Sequence, residues 1–411
     1  MKPAAGLSII VAAMLVLLAL LSPSGALADE LPADTNQIES LTPEQAKTLL
    51  AEFTGRSKYL SLNGLTTLDV DTAKTLAEFK GDFLSLDGLT TLDADTAKPL
   101  AEFKGFLELD GLTTLDADTA KVLAEFKGIG LLLDGLTTLD ADTAKTLAEF
   151  KGQYLCLDGV TTLDADIAKT LAPFKGRELW LAGLTTLNVA TAKALAGSTA
   201  WNGQLPKLTT LDADTAKALA EFKGQYLCLD GVTTLDADIA KTLAQFKGRE
   251  LWLAGLTALD AGTAKALAEF KGRVLNLSVL TTLDADIAKT LAEFKGERLD
   301  LDGLTALDAA AAKALAESKS WNGQLPRITA IESPDSVEIA TALAKREGPL
   351  LLPSLTKISP KALTALIEKE DVEIPLIETL ELIQEPDGSP TDDFVIPKGF
   401  EARQNARQQG R

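Results

Sequence analysis

Hydrophobic and polar positions follow two different periods inside each of eleven consecutive segments of this chain. In the segment 83–105, Leu84 and Leu86 stand two residues apart, which predicts a short strand, and the Asp-Gly pair after them predicts a turn. Further along, Ala97 and Leu100 have the spacing of one apolar helix face, and a glycine ends the helix. Each segment is therefore predicted to be a strand, a turn and a short helix.

The segments recur every 24 residues, with one step of 23, which predicts a solenoid. A unit of this size cannot bury its leucine side alone, so stacked neighbours are expected to form one continuous core. The turn glycine marks the frame at Gly64, Gly88, Gly111, Gly135, Gly159, Gly183, Gly231, Gly255 and Gly303, and Lys207 and Val279 replace it elsewhere.

The motif Leu-x-Leu-x-x-Leu-x-x-Leu, followed by a helix rich in Ala and Leu, resembles the leucine-rich repeat family over roughly residues 38–383. The resemblance implies an exported α/β repeat solenoid of bacterial type, with one short strand and one short helix per repeat and a parallel sheet on the concave face. The chain departs from the family because no Asn follows the strand. An invariant threonine is predicted to bond backbone groups of the turn instead. This column is Thr66, Thr90, Thr113, Thr137, Thr161, Thr185, Thr209, Thr233, Thr257, Thr281 and Thr305.

Composition divides the chain into five parts. An apolar run at 9–21, after Lys2 and before small residues that end at Ala28, predicts a secretory signal peptide over 1–28. An uncleaved N-terminal anchor is the alternative, and no later segment has the ~20 apolar residues of a membrane span. The other parts are expected to be an N-terminal cap with a partial repeat (29–57), regular repeats (58–327), degenerate repeats with a C-terminal cap (328–383) and a disordered tail (384–411).

The net charge is −19 and the chain contains no His. The negative charge argues against nucleic acid as a partner. Without His there is no Ser-His or Cys-His nucleophile pair and no imidazole metal site, so the chain is predicted not to be an enzyme. A hydrolase that uses only carboxylates would need Glu108, Glu178 or Glu250. Of these, Glu178 and Glu250 stand three repeats, ~15 Å, apart, which is too far for either glycosidase geometry.

Aspartate occupies three columns of the repeat. The first suits helix N-caps, since its one exception is Asn188; a row of Ca²⁺ sites is the alternative. The second column admits Ala190, Gly262 and Ala310, which favours caps and a solvated charged face over Ca²⁺, and no cofactor or metal is predicted. The third column, before the turn glycine, is predicted to form turns. The first column is Asp69, Asp93, Asp116, Asp140, Asp164, Asp212, Asp236, Asp260, Asp284 and Asp308; the third is Asp87, Asp110, Asp134, Asp158, Asp230 and Asp302.

A phenylalanine near the helix end recurs in most repeats and is predicted to form an internal stack. Two repeats have Ser198 and Ser318 there, each followed by a tryptophan in the phrase Trp-Asn-Gly-Gln-Leu-Pro. Trp201 and Trp321 are predicted to replace the missing rings, with a binding role as the alternative.

The repeats differ most at the strand positions that flank the central leucine, where side chains face outward from the sheet. Aromatic and apolar residues there predict an interaction surface on the concave face. The alternative is that these residues were duplicated together with their repeats and form no binding surface, because much of the segment 153–180 recurs 72 residues later. The predicted surface is Tyr59, Phe83, Phe106, Leu132, Tyr154, Cys156, Trp180, Tyr226, Cys228 and Trp252. The two cysteines are ~15 Å apart and a disulfide needs ~7 Å, so they are predicted to be free or to link two molecules.

These features predict an exported, non-enzymatic protein that binds a protein or glycan ligand and resides in the medium, the periplasm or at the cell surface. The alternative is a structural envelope or spacer protein without a specific ligand, in which near-identical repeats serve only length. Sensitivity of binding to the loss of Trp180 and Trp252 separates the two.

Overall fold

The computed structural model describes residues 31–53, 58–385, 388, 396 and 398–409. The predicted signal peptide lies outside these residues. Within the described ranges, no helix is both long and apolar enough to cross a bilayer.

The described chain is an α/β repeat solenoid in which short parallel strands alternate with short helices. The strands are β1 (Tyr59–Ser61), β2 (Phe83–Ser85), β3 (Phe106–Glu108), β4 (Gly130–Leu132), β5 (Tyr154–Cys156), β6 (Glu178–Trp180), β7 (Tyr226–Cys228), β8 (Glu250–Trp252), β9 (Val274–Asn276), β10 (Arg298–Asp300), β11 (Ala330–Ile331), β12 (Leu350–Leu351), β13 (Lys357–Ile358), β14 (Val372–Glu373) and β15 (Glu381–Leu382). The helices are α1 (Pro43–Glu52), α2 (Val70–Leu76), α3 (Ala94–Leu100), α4 (Ala117–Ala124), α5 (Ala141–Ala148), α6 (Ala165–Leu171), α7 (Val189–Ala196), α8 (Ala213–Ala220), α9 (Ala237–Leu243), α10 (Ala261–Ala268), α11 (Ala285–Ala292), α12 (Ala309–Glu317), α13 (Ser336–Ala344), α14 (Pro360–Ile367) and α15 (Lys398–Gln409), with 3-10 turns at Thr35–Gln37 and Ile377–Thr379.

Strands β1 to β10 stack in chain order, and within a sheet each pairs with the strand of the next repeat, whereas the C-terminal strands pair in the orders β11–β13–β15 and β12–β14. Strands β1 to β6 form one parallel sheet and β7 to β10 a second. The register aligns the central leucines, for example Leu60 with Leu84, so equivalent positions of successive repeats lie side by side. Between the two sheets, the segment 201–206 continues the stack through two isolated β-bridges, Leu179–Trp201 and Gln204–Cys228.

The core follows the predicted leucine and phenylalanine columns. The central leucine of every strand from β1 to β10 is fully buried. Phenylalanine rings of neighbouring repeats stack in six pairs, with centroids 6.2–6.3 Å apart. These pairs confirm the predicted internal stack. Trp201 continues it, with its ring centroid 4.6 Å from that of Phe222, and Trp321 is also buried. Both tryptophans therefore belong to the core, as predicted.

The first aspartate column caps the helices. The Asp116 carboxylate accepts hydrogen bonds from the backbone N–H groups of Asp118 and Thr119 at the start of α4, and Asn188 does the same at the start of α7. Hydrogen bonds from Thr119 lower the pKa of the Asp116 carboxyl. These bonds satisfy backbone donors that a helix start leaves free, so the predicted capping role is confirmed.

The C-terminal segment departs from the sequence prediction. Residues 384–411 are expected to be a disordered tail, yet α15 occupies Lys398–Gln409. Phe400 is buried, and the Gln404 side chain donates a hydrogen bond to the carbonyl of Pro375 at 2.9 Å. One buried aromatic side chain and side-chain hydrogen bonds thus hold this helix against the end of the solenoid. The helix was not predicted because its composition is polar, as in disordered segments.

Candidate interaction surface

Three-residue strands place two side chains of each repeat on the outer face of the sheet. The central leucine points inward, and the residues on either side of it point away from the core. Because neighbouring strands are in register, these outward positions form two columns. The first is Tyr59, Phe83, Phe106, Gly130, Tyr154 and Glu178 in one sheet, and Tyr226, Glu250, Val274 and Arg298 in the other. We call this side of the solenoid the outer sheet face.

Four rings on β1 to β5 form a continuous row, which we call the aromatic strip: Tyr59, Phe83, Phe106 and Tyr154. The ring centroids of Phe83 and Phe106 are 4.7 Å apart, and those of Phe106 and Tyr154 are 5.5 Å apart. The last contact spans a whole repeat because Gly130 lies between them; a Cβ at Gly130 would be 2.5 Å from Cδ1 of Phe106. The register therefore joins four residues that are scattered over almost a hundred positions of the sequence.

A second aromatic group lies on β6 and on β7 to β8. The Trp180 indole donates to the Glu178 carboxylate at 2.8 Å, and its counterpart Trp252 donates to Glu250 at 3.1 Å. Tyr226 meets Trp252 edge-on, with centroids 5.1 Å apart. The copied segments thus keep the same indole–carboxylate bond, and both tryptophans remain partly exposed.

The two cysteines do not belong to the accessible surface. Cys156 and Cys228 are each only 4% exposed and are free thiols, so they are not bridged to each other. Cys156 pairs in register with Leu132 and Trp180, and a small side chain between two large ones is covered by them. Burial and the charge of Asp158 raise the pKa of the Cys156 thiol, and burial and Asp230 raise that of Cys228 to about 11. Their predicted place in the interaction surface is therefore corrected.

Both thiols are expected to resist alkylation in the folded protein. The thiolate is the reactive form, and both burial and the raised pKa suppress it. At pH 8 we expect iodoacetamide to label Cys156 and Cys228 at least about 100-fold more slowly than a Tyr59→Cys thiol, since Tyr59 is 42% exposed. Mass spectrometry of timed samples measures the rates, and rapid labelling of the native wild type at two sites would contradict the burial.

The third aspartate column links one repeat to the next. The Asp87 carboxylate accepts the backbone N–H of Asp110 at 3.0 Å, and Asp110 accepts that of Asp134 at 2.8 Å. Asp134 bonds Asp158 at 2.8 Å, and Asp158 bonds the N–H of Ala182. We call Asp87, Asp110, Asp134 and Asp158 the ladder carboxylates. They hold the turns of successive repeats together, which goes beyond the turn-forming role that the sequence predicts.

Threonine bonds backbone groups less often than predicted. Two hydroxyls of its invariant column, those of Thr185 and Thr305, donate at 3.2 Å to the carbonyl of the equivalent threonine one repeat earlier. The side chain of Asn63, in the ladder position of the first repeat, accepts the N–H of Asp87 at 3.1 Å. Asn63 is the feature of the sequence that could have indicated the ladder, because an asparagine in the aspartate column offers the same side-chain acceptor.

The ladder carboxylates and Glu108 lie in a half-buried, negatively charged row. Burial, together with the charges of Asp134, Asp87 and Glu108, raises the pKa of Asp110 to about 7. Burial also raises the pKa of Asp158 and of Glu108, the latter despite a 2.9 Å hydrogen bond from the Tyr59 hydroxyl. Asp134, Cys156 and Asp158 bring their polar atoms within 4.8 Å of one another. The outer sheet face thus combines aromatic rings with carboxylates that repel each other.

No protein-family model matches the sequence, and no curated protein matches it. Among solved structures, the TLR13–ssRNA13 complex is similar over 82% of this chain and 58% of that chain, with 16% identity and a TM-score of 0.44. The Drosophila Toll–Spätzle complex is similar over 80% of this chain and 48% of that chain (14% identity, TM-score 0.43), and an internalin of Listeria monocytogenes over 85% and 99% (14% identity, TM-score 0.40). The chain thus spans about half the length of the first two. Its own repeating units, with in-register parallel strands, capped helices and a leucine core, give the chain the fold of a leucine-rich-repeat solenoid.

Proposed function

We propose that the chain is an exported, non-enzymatic binding protein that holds a protein or glycan ligand on its outer sheet face at the cell surface. One observation carries the proposal: the repeats are nearly identical inside but differ at the outward strand positions, where aromatic rings form the aromatic strip and the second group of Trp180, Tyr226 and Trp252. Aromatic rings concentrate at recognition surfaces because they supply large contact area at low entropic cost. Export is inferred from the signal peptide predicted at 1–28.

The carboxylates considered for a hydrolase have structural partners instead. Glu178 and Glu250 each accept a tryptophan N–H, and Glu108 accepts the Tyr59 hydroxyl. Each therefore orients an aromatic side chain of the outer sheet face. This arrangement supports binding rather than catalysis.

A spacer without a specific ligand is the second candidate, and the 72-residue copy favours it. Duplication lengthens a solenoid, and it carries Trp180 to Trp252 with the same indole–carboxylate bond. In a spacer these residues would be inherited along with the repeat and would serve no ligand.

The experiment compares three forms of the mature chain immobilised on a surface: wild type, Trp180→Ala/Trp252→Ala, and Val70→Ala. Val70 is 43% exposed on α2 and controls for the loss of apolar area away from the sheet. Envelope and medium extracts of the source organism are passed over each, after circular dichroism shows equal folding. We expect wild type and Val70→Ala to retain the same protein or glycan and the double variant to lose it. Equal retention by all three would favour the spacer.

A further inference from the structure

The ladder carboxylates carry a charge that the fold does not require. An amide in the same position makes the same bond, because the Asn63 side chain accepts the N–H of Asp87 and the Asn36 side chain accepts that of Asn63 at 3.2 Å. Later repeats have Ala182 and Ala254 there, so some turns hold without a side-chain acceptor. Four successive aspartates between these positions are therefore not explained by turn geometry.

That charge is also unfavourable in the folded protein. Half-burial disfavours the ionised form, and each ladder carboxylate faces the next one along the sheet, as the raised pKa values of Asp110 and Asp158 reflect. Half-buried carboxylates at positions where a neutral residue would serve the fold are typical of a site that uses the charge for binding.

Among the residues that the structure describes, no Lys or Arg forms an ion pair with a ladder carboxylate or with Glu108. The strand and turn segments 59–63, 83–87, 106–110, 130–134 and 154–158 contain no Lys or Arg. Basic side chains lie at the borders of this region. Lys58 pairs with Asp82 at 2.9 Å, and the Arg177 guanidinium lies 5.8 Å from the centroid of the Tyr154 ring. The charge of Lys207 partly offsets the rise in the pKa of Asp158. At the far end of the second sheet, by contrast, Arg298 pairs with Asp300 at 2.7 Å. Within the described part of the chain, the carboxylates at β1 to β5 therefore have no ion-pair partner beside the aromatic strip.

We propose that the ligand of this part of the outer sheet face is an extended, basic segment of a partner protein, whose Arg or Lys side chains lie between the ladder carboxylates and the aromatic strip. The inference rests on the proposed binding function and names its partner class. Carboxylates attract the cationic head groups, and the partly exposed edges of the stacked Phe83 and Phe106 rings offer apolar contact to the aliphatic parts of the same side chains. The five strands span roughly 19 Å, the length of about six extended residues.

The test uses substitutions that keep the ladder bonds and remove only the charge. Asp110→Asn/Asp134→Asn/Asp158→Asn retains a side-chain oxygen for each backbone N–H. The matched control, Asp118→Asn/Asp142→Asn/Asp166→Asn, removes the same three charges from exposed positions in the first turns of α4, α5 and α6. Because the pKa values of Asp110 and Asp158 are raised in the folded protein, their ionisation lowers stability at pH 8, and the ladder variant should be at least as stable as wild type there. Lost binding then cannot be ascribed to unfolding.

The probe is a fluorescent peptide of about eight residues in which Arg and Ala alternate, titrated at low and physiological salt, with the Glu-for-Arg peptide as its counterpart. We expect wild type and control to bind the Arg peptide with affinity that falls as salt rises, the ladder variant to bind at least about tenfold more weakly, and the Glu peptide not to bind. No binding by wild type, or equal binding by ladder and control variants, would overturn the inference.

The extract experiment, repeated with the ladder variant, distinguishes a failure of this inference from a failure of the proposed function. If Trp180→Ala/Trp252→Ala loses the ligand while the ladder variant keeps it, the outer sheet face binds but its ligand is not basic. If both variants keep it, the proposed function fails as well.

Discussion

Gly159→Ala is expected to destabilise the solenoid by more than about 3 kcal/mol, because no space exists for one methyl group. A Cβ on Gly159 would overlap the carbonyl oxygen of Asp134 and lie 2.9 Å from that of Leu136, both backbone atoms of the preceding repeat. Those atoms cannot rotate away as a side chain would. The added methyl therefore has to push two stacked turns apart, and the ladder bond between Asp134 and Asp158 lies in the same turn.

Gly262→Ala is the control and should have the opposite sign. Gly262 is exposed in the first turn of α10, where alanine is the better helix former by roughly 1 kcal/mol. A Cβ there would lie 3.0 Å from the Cβ of Ala237 and 3.2 Å from Oδ1 of Asp260, which are side-chain atoms, whereas a Cβ on Gly159 would meet backbone carbonyls. Urea unfolding followed by circular dichroism measures both changes. A Gly159→Ala protein as stable as wild type would show that the turns are not in tight contact.

The sequence predicts the parts of this fold that repeat. Leucine and phenylalanine columns, turn glycines and capping aspartates each recur in many copies, and every copy constrains the others, so local propensity and packing agree. The strand–turn–helix order and the burial of Trp201 and Trp321 follow from that agreement.

The parts that the sequence does not predict depend on neighbours across repeats. The outward position of Cys156 follows from strand alternation, but its burial depends on the side chains of Leu132 and Trp180 one strand away on either side. Likewise, the aspartate before the turn glycine looks like a local turn former, whereas its carboxylate bonds the next repeat. The alternation of residues along a strand identifies which side chains point away from the core. It does not show which of them are buried by the side chains of neighbouring strands.

The C-terminal cap depends on one residue that no repeat pattern marks. Arg346 is 8% exposed, and its guanidinium donates to the carbonyls of Glu347 and Pro349 at 2.7 Å each and to that of Trp321 at 2.6 Å. It also lies over the Trp321 ring, 5.3 Å from the centroid. A planar group with several donors thus joins the last tryptophan of the core stack to the turn after α13.

Arg346→Met is accordingly expected to lower the free energy of unfolding by about 3–5 kcal/mol. Methionine fills part of the volume but leaves three carbonyls without their donor, and unpaired buried acceptors are costly. Arg346→Lys should recover only part of the loss, because an ammonium lacks the planar fork and stacks poorly on the indole. The control is Arg327→Met, at an exposed position in the same region, where a change within about 0.5 kcal/mol is expected.

Hydrogen exchange of the Arg346→Met variant distinguishes a local cap from a general effect. A solenoid repeat contacts mainly its neighbours, so loss of Arg346 should raise exchange first in the cap that follows Trp321 and leave β1 to β6 protected. If exchange rises evenly along the chain, the cap and the repeats unfold as one unit. If unfolding free energy and exchange both stay at wild-type values, the three bonds of the guanidinium do not hold the cap, and apolar packing of Trp321 alone is sufficient.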